Sequence, residues 1–235
     1  MTRPSRIAVL GAGSLRCAPE VLATLIRADL PEESAIWLSD EFEEGLQLAE
    51  MLASRLIQDS GQLLRVVATA SAEESLEGAD TVILCYGGGL WHRGGVSMSA
   101  LSEHLEVLRL HRLLDVFETV NRCLASEERP ITVINLSRPV EITAKLLQRP
   151  AIHLDWPLPL GVDERVPRAH QILRWARGED PTHALLESVV QSPLFAALRY
   201  GEPAPRLAFD PDASDEIRDQ VRRLGPEIER LLLEL

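Results

Sequence analysis

Apolar residues along this chain come in two rhythms. Short unbroken runs, Ile7–Leu10, Ala35–Leu38, Leu63–Ala68, Thr81–Tyr86, Ile131–Leu136 and Ala151–Leu154, have the length and branching of strands buried on both faces. Between them the apolar positions recur at steps of three and four. Leu46, Ala49, Leu52, Ala53, Leu56 and Ile57 form one stripe, and Leu101, Leu105, Leu108, Leu113, Val116, Phe117, Val120 and Leu124 another. The spacing predicts helices from the Gly11–Ser14 turn through Ala28, and over 43–59, 72–78, 97–125 and 140–148. Strand and helix alternating in this way predict a doubly wound α/β domain with a mostly parallel sheet over residues 1–160. Beyond Glu164 the strand pattern stops. Helices are predicted over 166–177 and 183–199, making 161–235 a reduced helical C-terminal region. Its last stripe, Ile217, Val221, Leu224, Ile228, Leu231 and Leu235, is broken by Gly225-Pro226 and could dock on the sheet domain or on a second subunit. A homo-oligomer is the expectation.

The first strand runs straight into Gly11-Ala12-Gly13-Ser14 and then into helix. Strand, glycine-rich turn and helix N-terminus in that order are the context of a Rossmann-like dinucleotide site. Gly11 permits the tight turn, Gly13 offers no side chain to block a pyrophosphate, and the helix start supplies a positive dipole end. Position 16, where the fingerprint carries Gly or Ala, is Arg16. Asp40 closes the second strand, somewhat beyond the usual ~20 residues from the glycines, as an acid that accepts from a ribose 2′-hydroxyl and selects NAD over NADP. The alternative for Asp40 is an N-cap of the helix beginning near Glu43. Gly87, Gly88 and Gly89 follow the fourth strand at the edge where such sheets bind ligands, and His92 continues the same loop.

Composition narrows the partners. A net charge of -12 and the absence of a Lys/Arg-rich run argue against nucleic acid and anionic membrane. The three cysteines, Cys17, Cys85 and Cys123, are scattered, which suits a reducing cytoplasm and gives no disulfide framework. The apolar run at Ile7–Leu10 meets glycine at once, so neither a signal peptide nor a membrane span is expected.

Three segments carry a resemblance. Ile7-Ala8-Val9-Leu10-Gly11-Ala12-Gly13-Ser14-Leu15-Arg16, with Ala18-Pro19-Glu20 behind it, is similar to the first turn of the family 4 glycoside hydrolases. These are the NAD- and metal-dependent exceptions to two-carboxylate glycoside hydrolysis. Gly78-Ala79-Asp80-Thr81-Val82-Ile83 resembles that family's approach to its fourth strand. Ile134-Asn135-Leu136-Ser137-Arg138-Pro139, with Thr143, resembles its Ile-Asn-x-x-Asn-Pro segment. The resemblance spans about residues 6–165. Arg138 stands where the family has Asn, and Leu154-Asp155-Trp156 where it has its metal-binding Cys. The family's catalytic tyrosine has no counterpart, the two tyrosines being Tyr86 and Tyr200.

The resemblance implies a 6-phospho-glycosidase type of chemistry: NAD⁺ takes a hydride from sugar C3, the C2 proton becomes acidic, and the glycosidic oxygen leaves by elimination. With the residues read above, the cofactor is assigned to Gly11, Gly13, Ser14, Arg16, Asp40, Gly87 and Gly88. The reacting end is assigned to Asn135, to Arg138 in place of the family's Asn, and to His92 of the loop, and a Mn²⁺-type ion to Asp155 in place of the family's Cys, since a carboxylate suits a hard cation. The substrate would be a phosphorylated or acidic sugar, held in part by the guanidinium fork of Arg138. Two other readings stay open: a non-catalytic, regulatory NAD-binding protein without the metal site, and a small NAD-dependent dehydrogenase.

Overall fold

The structure is a computed structural model, and it describes residues 3–14, 17–86, 102–137, 140–154, 165–200 and 206–207, with positions 215, 219, 222, 223 and 226. Six parallel strands and one antiparallel strand form a single sheet. The strands are β1 (Arg6–Leu10), β2 (Ala35–Ser39), β3 (Arg65–Thr69), β4 (Thr81–Leu84), β5 (Thr132–Asn135), β6 (Ala151–His153) and β7 (Arg206–Leu207). Their order is β3-β2-β1-β4-β5-β6-β7, and only β7 runs antiparallel to its neighbour. The chain thus reverses its direction of winding between β1 and β4, the switch point at which doubly wound sheets hold their ligands.

β7 corrects the expectation that strands end before residue 164. Only Arg206 and Leu207 pair, against Ile152 and Ala151, and a two-residue strand leaves no readable alternation in a sequence.

Alternate residues of each strand face opposite sides. Ile7, Val9, Ile36, Leu38, Ile83 and Ile134 join one core, under α1 (Ala18–Arg27) and α2 (Glu43–Ser60). Ala8, Leu10, Val82, Leu84 and Val133 join the other, with residues of α3 (Ala72–Leu76), α4 (Ser102–Ala125) and α5 (Val140–Leu146). Most of these strand side chains are fully buried, so the strands read as unbroken apolar runs.

Helices α6 (Arg165–Arg177), α7 (His183–Ser188) and α8 (Pro193–Tyr200) extend the first core. Ile172, Trp175, Leu185, Leu186, Val189 and Leu194 are buried in the same cluster as the sheet residues. The single helix expected over 183–199 is broken, because Pro193 forces Ser192 into extended backbone after a 3₁₀ turn at Val189–Gln191. Of the C-terminal stripe only exposed positions are described, among them Arg222, which pairs with Glu118 of α4 in the same chain. The apolar residues of that stripe lie outside the described residues. No described helix is long and apolar enough to cross a membrane.

Phe117 is 1% exposed in the α4 core, whereas Met51 on α2 is 46% exposed. Phe117→Ala should cost about 3–5 kcal/mol in urea unfolding, and Met51→Ala should stay within about 0.5 kcal/mol.

Candidate nucleotide site at the switch point

β1 ends at the centre of the sheet, and Gly11 leaves it with a φ of +82°, where a side chain is strained. A Cβ at Gly11 would also sit 2.9 Å from the backbone of Cys85 and Tyr86, the residues that follow β4. The turn is pinned from the other side by β2: Gly11 and Ala12 both donate their N–H groups to the Ser39 carbonyl, at 2.9 and 3.1 Å.

Asp40, the next residue, completes the clamp. Its Oδ2 accepts from the N–H of Gly13 at 2.9 Å and its Oδ1 from the N–H of Phe42 at 2.9 Å. The N-cap of α2 is Phe42 and has no side-chain cap, so Asp40 is not the N-cap considered from the sequence. It is a bridge between the glycine turn and the entry to α2. This changes the reason for glycine at position 13. A Cβ there would lie 2.9 Å from Asp40 Cγ and 3.0 Å from its Oδ2, so the carboxylate itself occupies the space a side chain would need. Burial raises the Asp40 pKa above its ordinary value, and the two backbone hydrogen bonds oppose that rise.

Ser14 donates its N–H to the Gly11 carbonyl, and its own carbonyl accepts from Ala18 in the first turn of α1. The N–H groups of residues 11 to 14 therefore all have acceptors within the protein. At the start of α1, Ala18 and Val21 likewise give their N–H groups to the carbonyls of Ser14 and Cys17, and Pro19 has none to give. The donor set suits Asp40 to hydroxyl groups: each carboxylate oxygen accepts one N–H and keeps a lone pair.

Beneath the turn lie two buried thiols. Cys17, at the N-cap of α1, donates Sγ–H to the Cys85 carbonyl at 2.7 Å, and Cys85 Sγ donates to the Gly11 carbonyl at 3.3 Å. Hydrogen bonding from Cys85 lowers the Cys17 pKa, and the same contact with burial raises that of Cys85.

At the carboxyl ends of β5 and β6 a second polar group is buried. Asn135 and His153 are in register and lie on the same face. Asn135 Oδ1 accepts from the N–H of Ser137 at 3.0 Å, and its Nδ2 contacts Thr143 Oγ1 at 3.0 Å and His153 Nδ1 at 3.2 Å. Thr143 in turn donates to the Ser137 carbonyl at 2.9 Å. Asn135 is fully buried, and its amide is bonded to Ser137, Thr143 and His153 inside the protein. Burial lowers the His153 pKa. The sequence reading passed over His153 as a strand residue; a histidine closing an apolar strand in register with Asn135 was the available signal.

Of the predicted site residues, the structure brings Gly11, Gly13, Ser14 and Asp40 together and places Asn135 two strands away across β4. Arg16, Gly87, Gly88, His92, Arg138 and Asp155 lie outside the described residues. Among the described residues no three His, Cys, Asp or Glu side chains come together to hold a metal ion.

The order of strands, the glycine turn at the switch point and the acid closing β2 define a doubly wound, Rossmann-like α/β domain. Within that class, residues 6–101 match the model of the family 4 glycosyl hydrolases, so the resemblance holds over the first four strands. The search of curated protein sequences gives no match. Among solved structures, the malate dehydrogenase of Picrophilus torridus is similar at 12% identity and a TM-score of 0.51, covering 99% of each chain. The 6-phospho-beta-glucosidase of Thermotoga maritima, solved with NAD and glucose-6-phosphate, shares 20% identity over 61% of this chain, with a TM-score of 0.45. This chain spans 36% of that enzyme's length. A 6-phospho-alpha-glucosidase from gut microorganisms, in complex with NAD and Mn²⁺, shares 13% identity at a TM-score of 0.48, over 99% of this chain and 69% of its own.

The Asp40 clamp gives Gly13→Ala a defined cost. Overpacking against the carboxylate should destabilise by about 1–3 kcal/mol. Removing the carboxylate as well, in Gly13→Ala/Asp40→Ala, should cost less than the sum of the single changes by about 1 kcal/mol. Strict additivity in urea unfolding would refute the clamp.

Proposed function

We propose that this chain binds NAD(H) across the Gly11–Gly13 turn, with Asp40 accepting from the adenosine ribose hydroxyls, and acts on a phosphorylated sugar as a family 4 type enzyme. The observation that carries the reading is Asp40: a half-buried carboxylate at the switch point, with lone pairs to spare, fixed by Gly13 and Phe42. The match of residues 6–101 to the family 4 model supports the choice of cofactor. Gly11 and Gly13 keep the turn tight, and Ser14 and Arg16 are the residues proposed for the diphosphate. Gly87 and Gly88, Arg138 and His92 are the residues proposed for the nicotinamide and sugar end. When bound, NAD⁺ would supply the hydride acceptor. No metal-dependent step is proposed from the described residues.

The test begins with pure protein and NAD⁺, NADH or NADP⁺. A ligand at ~100 times its dissociation constant should add about 2.7 kcal/mol to stability, read as a rise in Tm. Asp40→Ala should weaken NAD⁺ about tenfold or more, the scale of a hydrogen bond to a charged group. NADP⁺, whose 2′-phosphate would face the carboxylate, should gain relative to NAD⁺. Turnover of nitrophenyl 6-phosphoglycosides that needs NAD⁺ would establish the enzyme. Clear NAD binding with no turnover across α- and β-linked substrates, with and without Mn²⁺, would leave a non-catalytic NAD-binding protein.

The raised pKa of Asp40 also sets a pH dependence. Its native carboxyl holds its proton to higher pH than the unfolded one, at about 3.8, so the native state binds more protons in that window. Asp40 therefore withdraws stability as pH rises from about 3.8 through its native pKa. Ribose hydroxyls bond more strongly to the ionised form, in which both oxygens accept and the hydrogen bond is charge-assisted. NAD⁺ affinity should rise with pH through the same transition, and Asp40→Asn should flatten the profile.

A further inference from the structure

The Asn135 cluster fixes more than a side-chain position. Asn135 Oδ1 must face the Ser137 N–H, since turning the amide over would set two donors against each other. Its two amide hydrogens then point to Thr143 Oγ1 and His153 Nδ1. Thr143 has its own hydrogen committed to the Ser137 carbonyl, so it receives from the amide through a lone pair. His153 Nδ1 must do the same. The ring is thereby held as the neutral tautomer with its proton on Nε2. A doubly protonated ring would place an Nδ1–H against the amide hydrogens.

His153 is 6% exposed, and Nε2 makes no hydrogen bond among the described residues. A donor on a largely buried ring, with no partner among the described residues, is open to an acceptor from outside. It closes β6 at the carboxyl edge, beside the last residue of β5. That is the side of a doubly wound sheet on which ligands sit.

The geometry points to His153 as a fixed, neutral Nε2–H donor that recognises an oxygen acceptor of the small-molecule substrate at the carboxyl edge of β5 and β6. This rests on the reading above that the substrate, a phosphorylated sugar, binds at that edge. It assigns His153 to positioning and not to proton transfer: the Nε2 proton is held on a neutral ring, and Nδ1 is sealed by Asn135. An oxygen of phosphate or of a sugar hydroxyl fits such a donor, whereas an ammonium group offers it nothing. His153 closes β6, four strands from the β2 that Asp40 follows, so His153 addresses the substrate and not the ribose that Asp40 would hold.

The experiment uses the full-length protein labelled with ¹⁵N, and long-range ¹H–¹⁵N spectra of the histidine rings at neutral pH. His153→Phe assigns the ring. The expected result is a proton-bearing Nε2 and a bare Nδ1. A proton on Nδ1, or on both nitrogens, overturns the assignment. Glucose 6-phosphate, inorganic phosphate and glucose are then added separately. A shift of the Nε2 signal with glucose 6-phosphate supports the proposal. A matching shift with phosphate makes the phosphate group the acceptor, and one with glucose makes it a hydroxyl. An Nε2 signal unmoved by all three at tens of millimolar refutes it. Asn135→Asp, whose carboxylate would draw the proton to Nδ1, should weaken glucose 6-phosphate binding at least tenfold; unchanged binding in the folded variant also counts against the proposal. The Tm shift with NAD⁺, measured alongside, keeps the two readings apart. Loss of the NAD reading with a moved Nε2 signal leaves the His153 assignment standing, and NAD binding with an unmoved signal removes it alone.

Discussion

One carboxylate ties the switch point together. Asp40 receives an N–H from the glycine turn and another from the entry to α2, so β2, the turn and α2 share a single acidic group. The close approach this needs is written in glycines. A Cβ at Gly13 would run into the carboxylate, and one at Gly45, in the first turn of α2, would lie 2.6 Å from the Gly13 carbonyl and 2.3 Å from the Phe42 ring. Gly11 meets the same constraint against the chain leaving β4. Three glycines on two elements are therefore required by backbone packing before any ligand is considered. The packing also explains why the turn is tight enough to face one.

The electrostatics around that group follow from its burial. Taking the carboxylate out of water raises its pKa, and its charge in turn pushes up the pKa values of Tyr86 and Cys85, although burial for Tyr86 and the Cys17 contact for Cys85 weigh more. Glu41 beside Asp40 and Glu20 near Cys17 add to the negative charge around the turn. Two backbone N–H groups offset part of the desolvation, and further donors from outside would offset more. A half-buried anion favours a neutral, donor-rich partner over another anion.

Much of this was legible in the sequence. The runs at Ile7–Leu10 and Thr81–Leu84 are unbroken because both faces of the central strands are covered, and that same continuity marked them as parallel. The glycine turn and Asp40 were legible from order along the chain. Their bond was not, because spacing says which elements are joined and nothing about which side chain folds back. The role of Gly13 was read against an absent ligand when its nearest neighbour is Asp40. β7 is too short to leave a pattern, and the break before Pro193 interrupts a stripe that still reads as continuous. His153 was missed for a related reason: its meaning lies in its register with Asn135, a pairing made across two strands.

The two polar centres at the carboxyl edge differ in a way that follows from the strands carrying them. Asp40 leaves β2 and is met by N–H groups on both oxygens, which turns a charged acceptor outward. Asn135 and His153 close β5 and β6, where hydrogen bonding turns a donor outward in place of an acceptor. β1 and β4 lie between them and end, at this edge, in the apolar Leu10 and Leu84 and the glycine turn. On the reading above the two groups meet two molecules: Asp40 the ribose of the cofactor, and His153 an oxygen of the substrate. A cofactor turned end for end would take hydroxyl donors away from Asp40, and a substrate presenting a donor to His153 would set two donors against each other. The orientation of each is thus set by which protein group would lose its partner, a larger effect than the gain from either contact alone.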